Sequence, residues 1–331
     1  MKPRVSFVIP VRNDAARLEA CLRSIRRNSH VPGQIEIIVV DNGSTDRSSA
    51  VASAAGAVVI PVESGRVSEL RNRGARHATA DVLAFVDADH EIVAGWVYAA
   101  LNCLQLPGVG LVGALCHAPT DGTWVQNVYG LLRGTRGGQH DVDWLGSGNM
   151  AVRRDAFEAL GGFDTSLETC EDVDLCHRLR ASGLRILSDA RLKNIHYGDP
   201  KTLREVFSSE RWRGRDNLRV SFRRPIAWAA LPSAIIPICH VALFAAVLVG
   251  VLGAPLIGRV GLLVATVAIV GCIAATAPRV VRVAVRERGL GFATFLQAFA
   301  VASAYDIGRA LAVVSRAPHR AVRTPHIAAT S

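Results

Sequence analysis

The chain has 331 residues, enough for a domain of roughly 200 residues with a large core plus a further part. Its net charge of +10 is not accompanied by an aromatic-basic patch or a reader motif, which excludes nucleic-acid binding as the leading function. Seven cysteines, odd in number and without a CxxC pair, fit scattered reduced thiols in a cytosol-facing domain.

Val5 to Pro10 is a short β-rich run, expected as the first strand. It begins too early for a secretory leader, so the first domain is expected in the cytosol. An amphipathic helix follows, with Leu18, Cys21, Leu22 and Ile25 on one side. Ile35 to Val40 is a second buried strand. It ends in the polar loop Asp41-Asn42-Gly43-Ser44-Thr45-Asp46, suited to capping the next helix. Val58 to Ile60 is a third strand, Leu70 to Thr79 a helix and Val82 to Val86 a fourth strand. Strands alternating with helices imply parallel β-α-β units, whose ligands bind outside the carboxyl ends of the strands. The Pro10 to Asp14 loop, Asp41 and the pair Asp87/Asp89 all fall at such ends.

Further on, the glycine-rich stretch from Gly134 to His140 is expected as a mobile loop and Gly146 to Asn149 as a tight turn. Arg153 to Leu160 is a short helix ending at Gly161-Gly162. Glu171 to Ala181 is a helix with Val173, Leu175, Cys176 and Leu179 toward a core. Glu171 and Asp172 lie in its first turn, where the helix dipole alone accounts for acids, while a proton-accepting carboxylate is the functional alternative.

Charge is absent from Pro225 to Gly258, 34 residues, and again from Val260 to Pro278, 19 residues. About 20 apolar residues span a bilayer as a helix, so a membrane hairpin is expected, rather than a buried hairpin of a soluble protein. Arg223 and Arg224 precede it and Arg279, Arg282, Arg286 and Arg288 follow, which puts both flanks in the cytosol by the positive-inside rule. The segment beyond Gly289 is expected as a helix at the inner surface, with Asp306 and Arg309 paired at i, i+3. A third span is the alternative, although it would carry Arg316, Arg320 and Arg323 outward. The resulting division is 1–224 for the catalytic domain, 225–288 for the two spans with their basic flank, and 289–331 for the last helix and tail.

A carboxylate pair at a strand end needs a cation or hydrogen-bond donors, and hard oxygen ligands suit Mg²⁺ or Mn²⁺, the partners of a diphosphate. One metal site plus one base suffices to move a group from a nucleoside diphosphate to a hydroxyl.

Six segments in order sharpen this. They are Phe7 to Asp14, Val39 to Asp46, Arg71-Asn72 with Gly74, Phe85 to Asp89, Gly161-Gly162-Phe163-Asp164 and Glu171 to Leu175. Together they resemble the family 2 glycosyltransferases of the GT-A fold over roughly residues 4 to 200. The resemblance implies an α/β, Rossmann-like, mainly parallel sheet flanked by helices, here followed by the C-terminal membrane helical hairpin. It also implies site roles. Pro10, Asn13, Asp14, Asp41, Arg71 and Asp87 would serve the nucleotide. Asp89 would reach the metal. Asp172 would act as catalytic base with Glu171 beside it. His196 would touch the metal or diphosphate, its alternative being an ordinary strand-end histidine.

Processive relatives carry Gln-x-x-Arg-Trp, whereas Ser208 here stands in place of the glutamine before Arg211 and Trp212. Addition of one or a few sugars is therefore expected. Arg211 and Trp212 are candidates for an acceptor or diphosphate wall, or else for a helix at the membrane surface. The implied partners are a nucleotide-diphosphate sugar, a membrane-held glycan or lipid acceptor and membrane lipids, with the protein at the cell inner membrane. The competing functions are a polyprenyl-phosphate glycosyltransferase, a non-catalytic nucleotide-sugar-binding relative and a nucleotidyltransferase. The last is disfavoured because the loop after the first strand has no glycine.

Overall fold

The structure, a computed structural model, describes residues 4–28, 34–134, 137–224, 226, 228, 231–287 and 290–315. Arg288, Arg316, Arg320 and Arg323, used in the topology argument, lie outside the described residues. Two compact units emerge, one from residues up to 117 together with 137–198, the other from 118–134 with 199–315. Residues 118–134 and 199–224, grouped with the catalytic domain on sequence grounds, thus cluster with the apolar helices.

The first unit begins with β1 (Val5–Val11), α1 (Ala15–Arg26), β2 (Ile35–Asn42), α2 (Ser48–Ala54), β3 (Val58–Val62), α3 (Val67–His77) and β4 (Val82–Val86). These four strands pair in parallel in the order β3-β2-β1-β4, as the alternation of strand and helix patterns implies. Side-chain alternation on β1 feeds two cores. Phe7 and Ile9 pack with Leu18, Leu22, Ile25 and Trp96 on one face. Val8 packs with Leu70, Phe85, Phe163 and Leu175 on the other.

β5 (His90–Ile92), α4 (Trp96–Leu104) and β6 (Val109–Gly113) follow, then α5 (Trp124–Arg133), which belongs to the second unit. The first unit resumes with β7 (Gln139–Asp141), β8 (Asn149–Arg153), α6 (Arg154–Ala159), α7 (Glu171–Ala181), β9 (Arg185–Asp189) and β10 (Asn194–His196). The full sheet runs β3-β2-β1-β4-β8-β6-β9-β7. β8 lies antiparallel between β4 and β6, and β7 antiparallel against β9 at the edge. The stretch expected as a mobile loop therefore contributes Gln139 and His140 to an edge strand, held by backbone pairing that its polar sequence did not reveal. The Gly146 turn forms as expected, with the Asn149 amide donating to the Gly146 carbonyl at 3.1 Å. In α7, Val173 is only half-buried, and Asp174 takes a fully buried place through its ion pair with Arg178 at 2.8 Å.

The second unit is helical: α5, α8 (Leu203–Arg213), α9 (Asn217–Ser221), α10 (Leu231–Ile257), α11 (Arg259–Arg286) and α12 (Phe292–Val314). Among the described residues, α10 and α11 are the two helices long and apolar enough to cross a membrane. Most of their large apolar side chains face outward, Leu256 being 89% exposed. Their backbones approach closely: a Cβ on Gly250 would lie 2.6 Å from the Gly261 carbonyl oxygen. His240 of α10 bonds Thr276 of α11 at 3.2 Å and the Ile236 carbonyl at 3.0 Å, so both ring nitrogens are engaged.

α12 packs on α5, α8, α10 and α11. Asp306 and Arg309 do not pair with each other. Asp306 binds Arg279 of α11 at 2.9 Å, and Arg309 binds Glu210 of α8 at 2.7 Å. Burial on a helical neighbour gives each charge a better partner than its own helix offers. Both arginines also stack over Tyr305, at 4.3 and 5.3 Å from the ring centroid.

Candidate active site

The loops at the carboxyl ends of β1 and β2 are stitched by their own polar side chains. Asn13 sits in the left-handed region with φ 52°, and its Oδ1 accepts from the Thr45 amide at 2.7 Å. The Asn13 amide donates to Ser44 Oγ at 2.9 Å. Asp41 is buried, its Oδ1 accepting from the Ser44 amide at 3.0 Å and its Oδ2 from the Ser49 hydroxyl. Asp46 accepts from the Ser48 amide at 2.9 Å just before α2, whose N-cap residue is Arg47 and makes no side-chain cap bond. Pro10 lies half-buried within β1, in register with Val40. Asp14 is bound by Arg17 at 2.8 Å, and Arg17 also comes within 3.8 Å of Asp89. Burial raises the proton affinity of Asp14, with the Arg17 contact working against it. The first loop and the Asp87-Ala88-Asp89 segment are thus neighbours, joined through Arg17.

Asp89 is the centre of the second group. His196 Nε2 lies 3.3 Å from its Oδ2, and His90 Nε2 3.6 Å from its Oδ1. These three residues offer ligand atoms that all lie within 4.8 Å of one another. The two imidazoles meet because β5 and β10 pair antiparallel with His90 opposite His196, ring centroids 4.2 Å apart. Burial alone would raise the Asp89 carboxyl, but the two histidines and Arg17 hold it well below the usual carboxylate range. Glycine keeps the space clear. A Cβ on Gly198 would collide with Asp89 Oδ2, and one on Gly148 would lie 2.6 Å from His90 Cε1 and 2.8 Å from Asp87 Oδ2. One carboxylate, two imidazoles and a cradle kept free of side chains fit a divalent cation. His90 escaped the sequence reading; the signal was its place directly after Asp89 on the same strand face as apolar Ile92.

The third group turns on Arg71, which is buried in α3. Its Nη2 binds Asp87 at 2.6 Å and its Nη1 binds Glu171 at 2.8 Å, so one guanidinium joins the Asp-x-Asp segment to the start of α7. The neighbouring Asn72 makes a reciprocal pair with the backbone of Phe163, donating to its carbonyl at 2.8 Å and accepting from its amide at 2.9 Å. Gly161 and Gly162 both carry positive φ, 75° and 74°, which turns the chain toward α7. Asp172 accepts from the Val173 amide at 2.8 Å and the Ser147 amide at 3.3 Å. The turn from Gly146 to Asn149 therefore touches Asp172 at one end and Asp87 and His90 at the other.

Burial, and the negative charge of Asp172, push the Glu171 carboxyl up to about 7 against the pull of Arg71. Burial also raises Asp172, with backbone amides and Arg71 opposing. Two adjacent carboxylates that both hold protons tightly make a unit able to accept a proton near neutral pH.

Arg211 and Trp212 lie in α8 of the second unit. Arg211 donates to Ser315 Oγ at 3.0 Å, and Trp212 is half-buried.

The profile described as Glycosyl transferase family 2 matches residues 6–161. A pre-mycofactocin glycosyltransferase of Mycobacterium tuberculosis is 31% identical over 196 residues, covering 55% of this chain and 40% of that protein. The succinoglycan biosynthesis protein ExoA of Rhizobium meliloti is 27% identical over 264 residues, 73% of this chain and 78% of that protein. The match spans less than two thirds of the length of the first of these. Among solved structures, the mannosyltransferase PcManGT from Pyrobaculum calidifontis, in complex with GDP-Man and Mn²⁺, superposes with a TM-score of 0.58. It is 20% identical, covering 93% of this chain and 87% of that one, a likeness of fold. The first unit thus matches glycosyltransferase family 2 over residues 6–161, and its architecture is the GT-A fold.

Proposed function

We propose that the protein is a metal-dependent, inverting glycosyltransferase that moves a sugar from a nucleotide-diphosphate donor to a hydroxyl of a membrane-held glycan. One observation carries this reading. A carboxylate–imidazole cluster and a carboxylate pair of raised proton affinity are touched by the same turn at Gly146 to Asn149. The Mn²⁺ bound by the mannosyltransferase of like fold agrees with it.

Asp89, His90 and His196 would hold the cation. Two imidazoles beside one carboxylate favour Mn²⁺ over Mg²⁺, which prefers oxygen ligands alone. When bound, the cation supplies positive charge where the leaving diphosphate gains negative charge. Asp172 accepts the proton of the acceptor hydroxyl as its oxygen bonds to the anomeric carbon. The bond to the diphosphate oxygen breaks, its electron pair leaving with the nucleotide. A single displacement inverts the anomeric centre. Glu171, tied to Arg71, sits beside Asp172 as the second carboxylate of the pair. Arg71 fixes Asp87 for the nucleotide, and Asp14, Asn13, Asp41 and Pro10 shape the nucleoside end. Arg211 and Trp212 are assigned to the acceptor wall.

The apolar hairpin of α10 and α11 favours an acceptor held in the membrane. With Arg223 and Arg224 before it and Arg279, Arg282 and Arg286 after it, the basic flanks belong on the cytosolic side and Gly258 outside. α12 belongs to the inner surface beside them. Purified full-length protein should release nucleoside diphosphate from a panel of nucleotide sugars only with Mn²⁺ and a lipid-glycan extract. A panel that neither binds nor turns over overturns the reading. A cysteine placed at Gly258 should react with an impermeant reagent in intact cells, and protection there reverses the orientation.

A further inference from the structure

His90 is a ligand only if its Nε2 carries a lone pair, and the residue that decides this is on the far side of its ring. Asn194 of β10 is fully buried, and its Nδ2 is hydrogen-bonded to His90 Nδ1. An amide nitrogen can only donate, so in this arrangement Nδ1 accepts. A neutral imidazole then keeps its proton on Nε2, which faces Asp89 Oδ1 at 3.6 Å. That tautomer closes Nε2 to a cation. Meanwhile Asn194 Oδ1 is buried without a hydrogen-bond partner among the described residues, an unfavourable place for a carbonyl oxygen.

A half-turn of the carboxamide resolves both points. Oδ1 then accepts from His90 Nδ1–H, and Nε2 presents its lone pair toward Asp89 and His196. The Asn194 backbone is fixed: it pairs with Ile92 across the two-stranded sheet, and its carbonyl accepts from the His117 amide at 2.9 Å. Only the side chain is left to turn. The other group facing His90 Nδ1 is the Cys116 thiol, with Sγ at 4.0 Å, too weak a partner to set the tautomer.

We propose that Asn194 is a positioning residue that selects the His90 tautomer: with its carboxamide oxygen accepting from Nδ1–H, it keeps the Nε2 lone pair open to a cation. The proposal rests on the metal reading given above.

The test is Mn²⁺ binding alone, measured as free Mn²⁺ by electron paramagnetic resonance on the full chain in detergent. Asn194→Leu, which can neither donate nor accept, should weaken binding about 10- to 100-fold. Asn194→Asp, which can only accept, should bind at least as tightly as the wild type. In a His90→Ala background, Asn194→Leu should have no further effect. Wild-type affinity in Asn194→Leu overturns the proposal, as does an equal loss in Asn194→Asp or an undiminished loss in the His90→Ala background. A wild-type protein that binds no Mn²⁺ fails the metal reading itself, a result separable from the other three.

Discussion

Both units bury charge, and they do it in opposite ways. In the helical unit Glu210 has partners on both carboxylate oxygens. Glu210 is 1% exposed and bound by Arg309 at 2.7 Å, Arg213 at 3.1 Å and the Tyr129 hydroxyl at 2.6 Å. Burial would raise its carboxyl, but Arg309 and Arg213 bring it down to about 2. In the sheet unit, Glu171 and Asp172 share one buried arginine, which also serves Asp87, and both hold their protons more tightly than ordinary carboxylates. Matched charges hold helices together. Under-matched charges at the carboxyl ends of a sheet are poised for chemistry, because their proton or cation is not already bound to the protein.

The largest test of this contrast is Asp89→Asn. Removing the one carboxylate of the cation cluster should lower turnover by about a thousandfold or more and abolish Mn²⁺-dependent nucleotide binding. Turnover like the wild type at every metal concentration would overturn the site. Next, Asp172→Asn should cost roughly 10²–10⁴ in rate while leaving donor affinity intact, as expected of a general base. NMR of the product from the wild type should show an inverted anomer. If donor affinity collapses while chemistry persists, Asp172 belongs with the matched, structural charges instead.

The two kinds of charge were not equally legible in the sequence. β1 to β4 and their helices follow from apolar runs of strand length alternating with helical periodicity, so their strand-end acids were placed correctly. Asp87 and Asp89 stood out as acids after a buried run. The resemblance named His196 as well, but the pairing of β5 with β10 that brings it to Asp89 joins two three-residue strands far apart in the chain and was not legible. His90 was hidden for the same reason. The double use of Arg71 was equally invisible, since helix periodicity gives a face and not a partner. On the helical side the local rule misled: Asp306 and Arg309 have the spacing of a pair, yet α11 and α8 supply the partners. The antiparallel strands β7 and β8 carry no helical crossover pattern, and backbone pairing alone defines them.

One substitution, made once in each unit, compares them directly. Glu210→Gln removes the charge that Arg309 and Arg213 share in a buried place, which should cost about 3–5 kcal/mol. The thermal midpoint in detergent at pH 8 should fall by several degrees. Because the folded value of Glu210 lies below the ordinary one, this stabilisation is present above pH 4.5 and is lost as pH falls toward 2. A midpoint unchanged in Glu210→Gln would show that the helical network is not matched after all.

The same change at Glu171 should behave differently. Its folded value lies above the ordinary one, so the fold favours the protonated form, and stability declines as pH rises from about 4.5 toward 7. Glu171→Gln mimics that protonated form, and its thermal midpoint at pH 8 should match or exceed that of the wild type. Its effect appears in the rate profile instead. With the wild type, turnover should fall as pH drops into the raised range of the pair, because the pair takes up the proton that Asp172 must accept. In Glu171→Gln, Asp172 titrates without a negative neighbour and with more of Arg71 to itself, so the acid limb should move to lower pH. An acid limb that does not move would locate the titration outside the pair and return Glu171 to the status of a buried structural acid.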